Sequence, residues 1–576
     1  MPPSAAIETP DALRGTPAFI DGVLRDWQVP GMAVAVAREG RIVFSQGFGL
    51  RNVTKDLPVT PRTLFAIGSC TKAFTTMGLG LLADEGKLDW DTPVATYLPD
   101  FALHDPFASD RITPRDLVTH RSGLPRHDLA WYGAGASRRE IVDRLRHLQP
   151  TKDLRTAWQY QNLMYLAAGY LAGVIAGQEW EELVRQRIFD PLGMATSTFS
   201  VTQSQKAADF AHPYQEKDDR VREIPFRTID SVGPAGSINS NIEEMASWLL
   251  LHLNNGRHAG EQFISEGQIS QMHALQMTMR DPVKYAELSL PSYGLGWFVE
   301  SYRGQTVVSH GGNIDGFSAL VTFIPRQGIG VVALTNLNGV PVPDIVAYHV
   351  YDRLLGLSEI SWNDRFLKDH AEQQTAEEKS KEKGESDRVK GTQPSHPLDA
   401  YAGTFAHPAY GTIAIERAGD ELALRYNAFT GPLPHRHYDT FEFTFDLFTR
   451  RVPVSFVTDV AGDIASLTTP LEPLVPDIVF TRQPPPEMTE TGFLERFVGA
   501  YALMEMPMNV LLKDQHALRV SLPGQPDYEL EPVKGTTFRL KGLSGFSIEF
   551  TSDASGRVTD AIVAQPGGVF TAPKRS

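Results

Sequence analysis

The chain has 576 residues, 42% of them hydrophobic and 21% charged, and its 54 basic against 69 acidic residues give a net charge of −15. That length suits about three to four domains, and an acidic chain with no basic cluster argues against nucleic acid, whose phosphates call for concentrated Lys and Arg. The single cysteine, Cys70, excludes an internal disulfide. No apolar run reaches the roughly 18 residues of a membrane span, and M-P-P-S-A-A-I-E-T-P at the start lacks the basic and apolar regions of a signal peptide. The expected compartment is the cytoplasm, with no membrane partner.

Residues 10–28 put Phe19, Ile20, Val23, Leu24 and Trp27 on one face and predict a helix. Residues 31–37 and 41–49 read as two strands joined by a turn at Arg38-Glu39-Gly40. A helix is expected from Ser69 to near Gly86, since Ala73, Phe74, Met77, Leu81 and Leu82 recur at helical spacing. Residues 112–255 read as helices and loops. Strand patterns return at 305–310, 317–324 and 328–335, followed by a helix at 342–355. Strands at both ends with helices between predict one α/β layer system with a helical insertion.

Residues 366–396 change character: the stretch from His370 to Lys390 is charged, polar and free of Phe, Tyr and Trp, and the segment reads as a linker able to form a solvated helix. An internal repeat follows. Tyr401-Ala-Gly-Thr-Phe405 aligns with Phe497-Val-Gly-Ala-Tyr501, Leu422 and Leu424 with Leu518 and Val520, Ala461-Gly-Asp-Ile464 with Ser555-Gly-Arg-Val558, and Val479-Phe-Thr481 with Val569-Phe-Thr571. Two small antiparallel β-barrels account for this pattern most simply, with two halves of one barrel as the alternative. The expected division is an α/β unit at 1–365, the linker at 366–396, and barrels at 397–483 and 487–576.

Three short motifs carry chemistry. Ser69-Cys70-Thr71-Lys72 places a lysine one helical turn after a serine, at a helix start where unsatisfied N–H groups favour a developing oxyanion. A serine hydroxyl needs a base, and a lysine serves as one only when burial or a neighbouring cation lowers its pKa. Spacing alone decides nothing, because Ser380–Lys383 also fits S-x-x-K in a charged stretch. Tyr160-Gln161-Asn162, a Y-x-N found once in the chain, precedes a helical run. Tyr160 could share a proton with Lys72, and Asn162 could hold the ammonium and donate to a substrate carbonyl. His310-Gly311-Gly312 ends the 305–310 strand, its glycines leaving room for a substrate backbone, and the next amide, that of Asn313, could pair with the Ser69 amide as an oxyanion hole. Cys70 points about 100° away from Ser69 around a helix and reads as packing.

In this order and with these flanks (V-P-G-M-A-V-A-V at 29–36, L-V-T-H-R-S-G-L-P at 117–125, W-Q-Y-Q-N at 158–162, S-H-G-G-N-I-D-G-F-S at 309–318), the three motifs resemble those of the serine β-lactamase-like hydrolases. This superfamily includes class C β-lactamases, D-Ala-D-Ala carboxypeptidases, D-aminopeptidases and related esterases. The resemblance spans about residues 12–357, and the C-terminal repeats look like the lipocalin-like barrels appended to some members. It implies an antiparallel sheet flanked by helices plus a helical subdomain. It further implies Ser69 as nucleophile, Lys72 and Tyr160 sharing the base role, Ser69 and Asn313 amides as oxyanion hole, and Asn162, His310, Gly311 and Gly312 orienting substrate.

No cofactor is called for, and neither H-E-x-x-H nor a Cys/His cluster points to a metal. His310 stands where lactamases and carboxypeptidases of this superfamily usually carry Lys. A mostly neutral imidazole removes a fixed charge for a substrate carboxylate. The leading expectation is therefore a peptidase or amidase acting on small molecules or short peptides, D-residue peptides among them. An esterase, a β-lactamase and a catalytically silent peptide- or glycan-binding protein are the alternatives. Gln161, in place of a small residue, is expected to narrow the pocket. Oligomeric state is not legible.

Overall fold

The computed structural model describes residues 7–575 apart from 218–219, 281 and 446–449. The elements that position the site are, in chain order, α1 (Thr16–Asp26), β1 (Gly31–Arg38), β2 (Arg41–Asn52), α2 (Thr71–Asp84), α3 (Asn162–Ala176), α4 (Ile242–Leu253), β3 (Phe298–Tyr302), β4 (Gln305–Ile314), β5 (Phe317–Ile324), β6 (Ile329–Thr335), α5 (Val342–Leu355) and α6 (Trp362–Ser386). The strands form an antiparallel sheet in the order β3-β4-β5-β6-β1-β2, extended at both edges by short strands. Both ends of the α/β unit thus meet in one sheet, through the β1–β6 pairing of Met32 with Thr335 to Arg38 with Ile329.

The sequence of β1, G-M-A-V-A-V-A-R, has no polar face because both sides are covered. Met32, Val34 and Val36 enter the core shared with α1 and α5. Ala33, Ala35 and Ala37 enter the core shared with α2 and α4. Large residues on one side and alanines on the other let α4 lie close against β1 and β6. Each fully buried Val or Met contributes about 1.5–3 kcal/mol.

Three expectations shift in detail. The helix expected at 10–28 divides into a 3₁₀ turn, Asp11–Leu13, and α1; Gly15 separates them, and Pro17 fits the first turn of α1, where its missing N–H costs nothing. The strand expected at 41–49 continues to Asn52. The strand expected at 305–310 runs on through Gly311, Gly312 and Asn313, paired to β5 from Val308–Phe323 to Ile314–Phe317. The His310-Gly311-Gly312 motif is therefore inside a strand, not at its end.

The charged stretch after residue 365 lies largely on α6, whose root is anchored. Trp362 is buried and donates Nε1–H to Tyr302 at 3.0 Å, and Asp369 receives Lys284 and Tyr285. From Ala371 to Ser380 the helix is exposed. Among the described residues no helix is long and apolar enough to cross a membrane.

The C-terminal repeats are two separate antiparallel sheets, each curled into a nearly closed barrel. In the first, strand Gly403–His407 pairs both with Gly411–Ala418 and with Ile478–Arg482. In the second, Tyr501 and Lys574 form a bridge between the first and last edges. Aligned positions do equivalent work: Tyr401, Phe405, Phe497 and Tyr501 are fully buried, as are Leu422, Leu424, Leu518 and Val520. Asp459 accepts the amides of Ala461 and Asp463, and Asp553 accepts those of Ser555 and Arg557, so both turns are closed by the same side-chain device.

Candidate active site

Gly68, at φ +51°, starts a 3₁₀ turn, Gly68–Cys70, that feeds directly into α2. Ser69 thus sits one step before the helix, and Lys72 is in its first turn. Lys72 is completely buried. Its Nζ stands 2.8 Å from Ser69 Oγ, 2.8 Å from Asn162 Oδ1 and 2.7 Å from the Ala235 carbonyl. Burial drives its pKa well below the usual lysine value, the Arg126 charge adds to this, and Asp128 and Cys70 oppose it. As a neutral amine, Lys72 can give its two N–H groups to Asn162 and Ala235, which directs its lone pair at the Ser69 hydroxyl.

Asn162 opens α3, and Gln161 caps it by accepting the Leu163 amide at 2.8 Å. Gln161 is fully buried, and its Nε2 donates to the Pro125 carbonyl. It staples α3 to the 122–126 loop and does not narrow the pocket. Asn162 uses its oxygen on Lys72 and donates Nδ2–H to Asp128 at 3.0 Å. Tyr160 is half-buried, with Lys72 Nζ 4.8 Å from its ring centre. Burial raises its pKa far above the usual phenol value, against a lowering by its bond to Ser69, so it carries its proton at neutral pH. Behind it lies His120, 4.3 Å between ring centres, with Nδ1 accepting the Gln161 amide at 3.0 Å. Burial and the neighbouring Lys72 hold His120 neutral.

The two glycines of β4 do different things. A Cβ on Gly312 would collide with the Ile67 carbonyl and stand 2.9 Å from Ser69 N, and one on Gly68 would stand 3.0 Å from Asn313 N. Gly312 and Gly68 therefore let strand and serine turn abut, so that the Ser69 and Asn313 amides share one mouth. A Cβ on Gly311 would meet only the Ala319 carbonyl, at an ordinary 3.7 Å. Room for a substrate backbone, expected from both glycines, is not what Gly312 provides, and neither Gly311 nor Gly312 lines the cleft.

His310 is 1% exposed and lies behind the cleft, not in its lining. Its Nε2 is 2.8 Å from the Tyr293 hydroxyl and its Nδ1 2.6 Å from the Gly311 carbonyl. Burial, with Lys72 adding, lowers its pKa to about 3. It is a neutral residue that packs behind the cleft. Cys70 donates Sγ–H to the His310 carbonyl at 3.1 Å, and burial pushes its thiol up to about 12, which leaves it unreactive.

Ser69 opens into a cleft of about 180 Å³ lined by Gly68, Asn162, Ala235 and Asn313, by apolar Trp131, Ile229, Val232 and Ile314, and by charged Arg126, Asp128 and Asp315. Sequence reasoning missed Arg126 and Asp128. Both follow directly on the S-G-L-P flank, which is the signal that could have led to them. Asp128 accepts Asn162 and Trp131 on Oδ1, and Arg126 Nε at 2.6 Å on Oδ2. The fixed positive charge that His310 lacks is present on a different element.

The loop at 126–133 is held from behind by the first barrel. Tyr426 donates to the Leu129 carbonyl at 2.5 Å, and Asn427 Nδ2 to the carbonyls of Leu129 and Tyr132. Glu472 accepts the His127 amide at 2.9 Å, the Tyr410 hydroxyl meets His127 Nδ1 at 2.7 Å, and Phe429 stacks on Tyr132. Across the cleft Tyr132 donates to Asp315.

The Beta-lactamase family model matches residues 17–401, two thirds of the chain. The chain belongs to the beta-lactamase family. As a beta-lactamase-fold serine hydrolase it is 31% identical over 408 residues to unguisins hydrolase ungD' of Aspergillus campestris, covering 68% of this chain and 75% of that protein. It is 25% identical over 345 residues to protein flp of Staphylococcus aureus, covering 59% and 66%. The octameric penicillin-binding protein homologue from Pyrococcus abyssi shares the fold, with a TM-score of 0.55, 23% identity and coverage of 81% of this chain and 99% of that one. A domain of unknown function, DUF3471, matches residues 387–482, the first barrel.

Proposed function

We propose that this beta-lactamase-family hydrolase cleaves amide bonds in short peptides or small amides through an acyl-enzyme on Ser69. The observation that carries the reading is the Lys72 environment: a buried amine with its N–H groups taken by Asn162 and Ala235 and its lone pair on the Ser69 hydroxyl. Lys72 takes the Ser69 proton as Oγ bonds to the carbonyl carbon. The oxyanion lies between the Ser69 and Asn313 amides, and the tetrahedral centre collapses as the carbon–nitrogen bond breaks. An amide nitrogen must be protonated to leave. Tyr160, beside Ser69 and kept protonated by burial, is placed to relay that proton, which supports amides over esters. Water then cleaves the acyl ester with Lys72 again as base. The hydrolase name of the Aspergillus relative agrees with water as the final acceptor.

The test is intact-mass labelling with a fluorophosphonate, followed by a screen of short L- and D-peptides, amides and esters. The adduct is expected on Ser69, with Ser69→Ala and Lys72→Ala each losing at least about 10³-fold in kcat/KM, the scale of removing a nucleophile or its base. Labelling elsewhere overturns the mechanism. An ester preference far beyond intrinsic reactivity, for an ester and an amide sharing one acyl group, overturns the amide assignment.

A further inference from the structure

We infer that Arg126 forms an anion subsite of the cleft, and that the substrates Ser69 handles best carry a carboxylate within its reach; this rests on the acyl-enzyme reading above. Arg126 lines the same cleft as Ser69, and its side chain is 52% exposed. Its guanidinium carbon stands over the Tyr160 ring, 5.0 Å from the ring centre, which seats the charge on an aromatic face. Its Nε is bonded to Asp128. Among the described residues its two terminal nitrogens have no hydrogen-bond partner. Those two nitrogens form the edge that accepts a carboxylate through two parallel bonds.

Asp128 cannot supply that carboxylate. Its other oxygen is taken by Asn162 Nδ2 and Trp131 Nε1, so it meets Arg126 through a single bond. Asp315, the remaining acid of the cleft, is nearly buried and engaged by Tyr132. The nearby amine of Lys72 is buried with its N–H groups committed to Asn162 and Ala235. Arg126 therefore presents the cleft with a permanent charge. A surface ion pair explains Arg126 poorly: such a pair would contribute little, and it does not account for the guanidinium standing over the Tyr160 ring beside the nucleophile.

The test uses two peptides identical at the scissile amide and leaving group, one ending in a carboxylate and the other in a carboxamide. They are compared on the full-length enzyme and on Arg126→Gln and Arg126→Lys at low and high salt. The wild type is expected to favour the carboxylate by about 10- to 100-fold in kcat/KM, the range of a bidentate charge-assisted pair, mainly through KM and less so at high salt. Arg126→Gln is expected to bring the ratio to about one, and Arg126→Lys to fall between, since a lysine keeps the charge and loses the fork. Equal losses on both peptides would make Arg126 a positioning residue for Asp128 and overturn the subsite, as would a wild-type ratio near one. Should neither peptide turn over, protection of Ser69 from a neutral fluorophosphonate is read with the same pair, and equal protection overturns the subsite. Failure of the probe to label Ser69 strikes the acyl-enzyme reading instead, so the two failures are distinct.

Discussion

The two barrels are built alike and attached differently. The first shares a hydrophobic core with the catalytic unit, and its strand-end residues Tyr426 and Asn427 hold the loop that carries Arg126 and Asp128. The second closes its core on itself and reaches the first through Lys534 and Asp463, a 3.0 Å ion pair between exposed side chains. Repeats of like build can thus end with opposite degrees of coupling. What decides coupling is the loop at one strand end, not the barrel.

Acid should separate the two barrels most widely. His310 and His273 have pKa values lowered to about 3 by burial, and His407 to about 4 by burial with His147 and His127 adding. In the unfolded chain these histidines titrate near 6.5, so below that pH the unfolded state binds more protons and stability falls with pH. The loss from pH 7 to 5 is about 2 kcal/mol each for His310 and His273. The second barrel holds only His516, which is exposed. Calorimetry at both pH values should find a transition that moves down, carrying the catalytic unit and first barrel, and a second that barely moves. A common shift of both breaks the comparison.

Next in size is the loop support. The double variant Tyr426→Phe, Asn427→Ala should lower kcat/KM by about 10²-fold, the scale of a 1 Å misplacement of positioned groups, while Ser69 remains reactive to a small probe. Glu472→Gln keeps an acceptor for the His127 amide and should cost only a few-fold, since it changes charge more than geometry. Smallest is Lys534→Ala, expected within ±0.5 kcal/mol in chemical denaturation and without effect on rate. A clear rate loss there would couple the second barrel to the site.

Much of this arrangement could be read from residues close together in sequence. S-x-x-K works because one helical turn joins its two ends, β1 is legible as an unbroken apolar run, and the barrels as an internal repeat. Arg126 and Asp128 resisted, because their meaning depends on a loop folding back onto α3, and nothing local in R-H-D says so. Gln161 is expected to narrow the pocket because it replaces a small residue, and His310 to face it because it stands where the superfamily usually carries Lys. Gln161 instead caps α3 and staples it to the 122–126 loop, while His310, inside β4, turns back onto Tyr293 and the Gly311 carbonyl.

Gly312 carries a consequence for how this site can change. The joint between the serine turn and β4 depends on a hydrogen where every other residue has a carbon. A Gly312→Ala replacement would alter no reacting group, yet it would pry the two amides apart. Changes in the walls of the cleft alter what the site accepts, whereas this seam takes no side chain without parting the Ser69 and Asn313 amides.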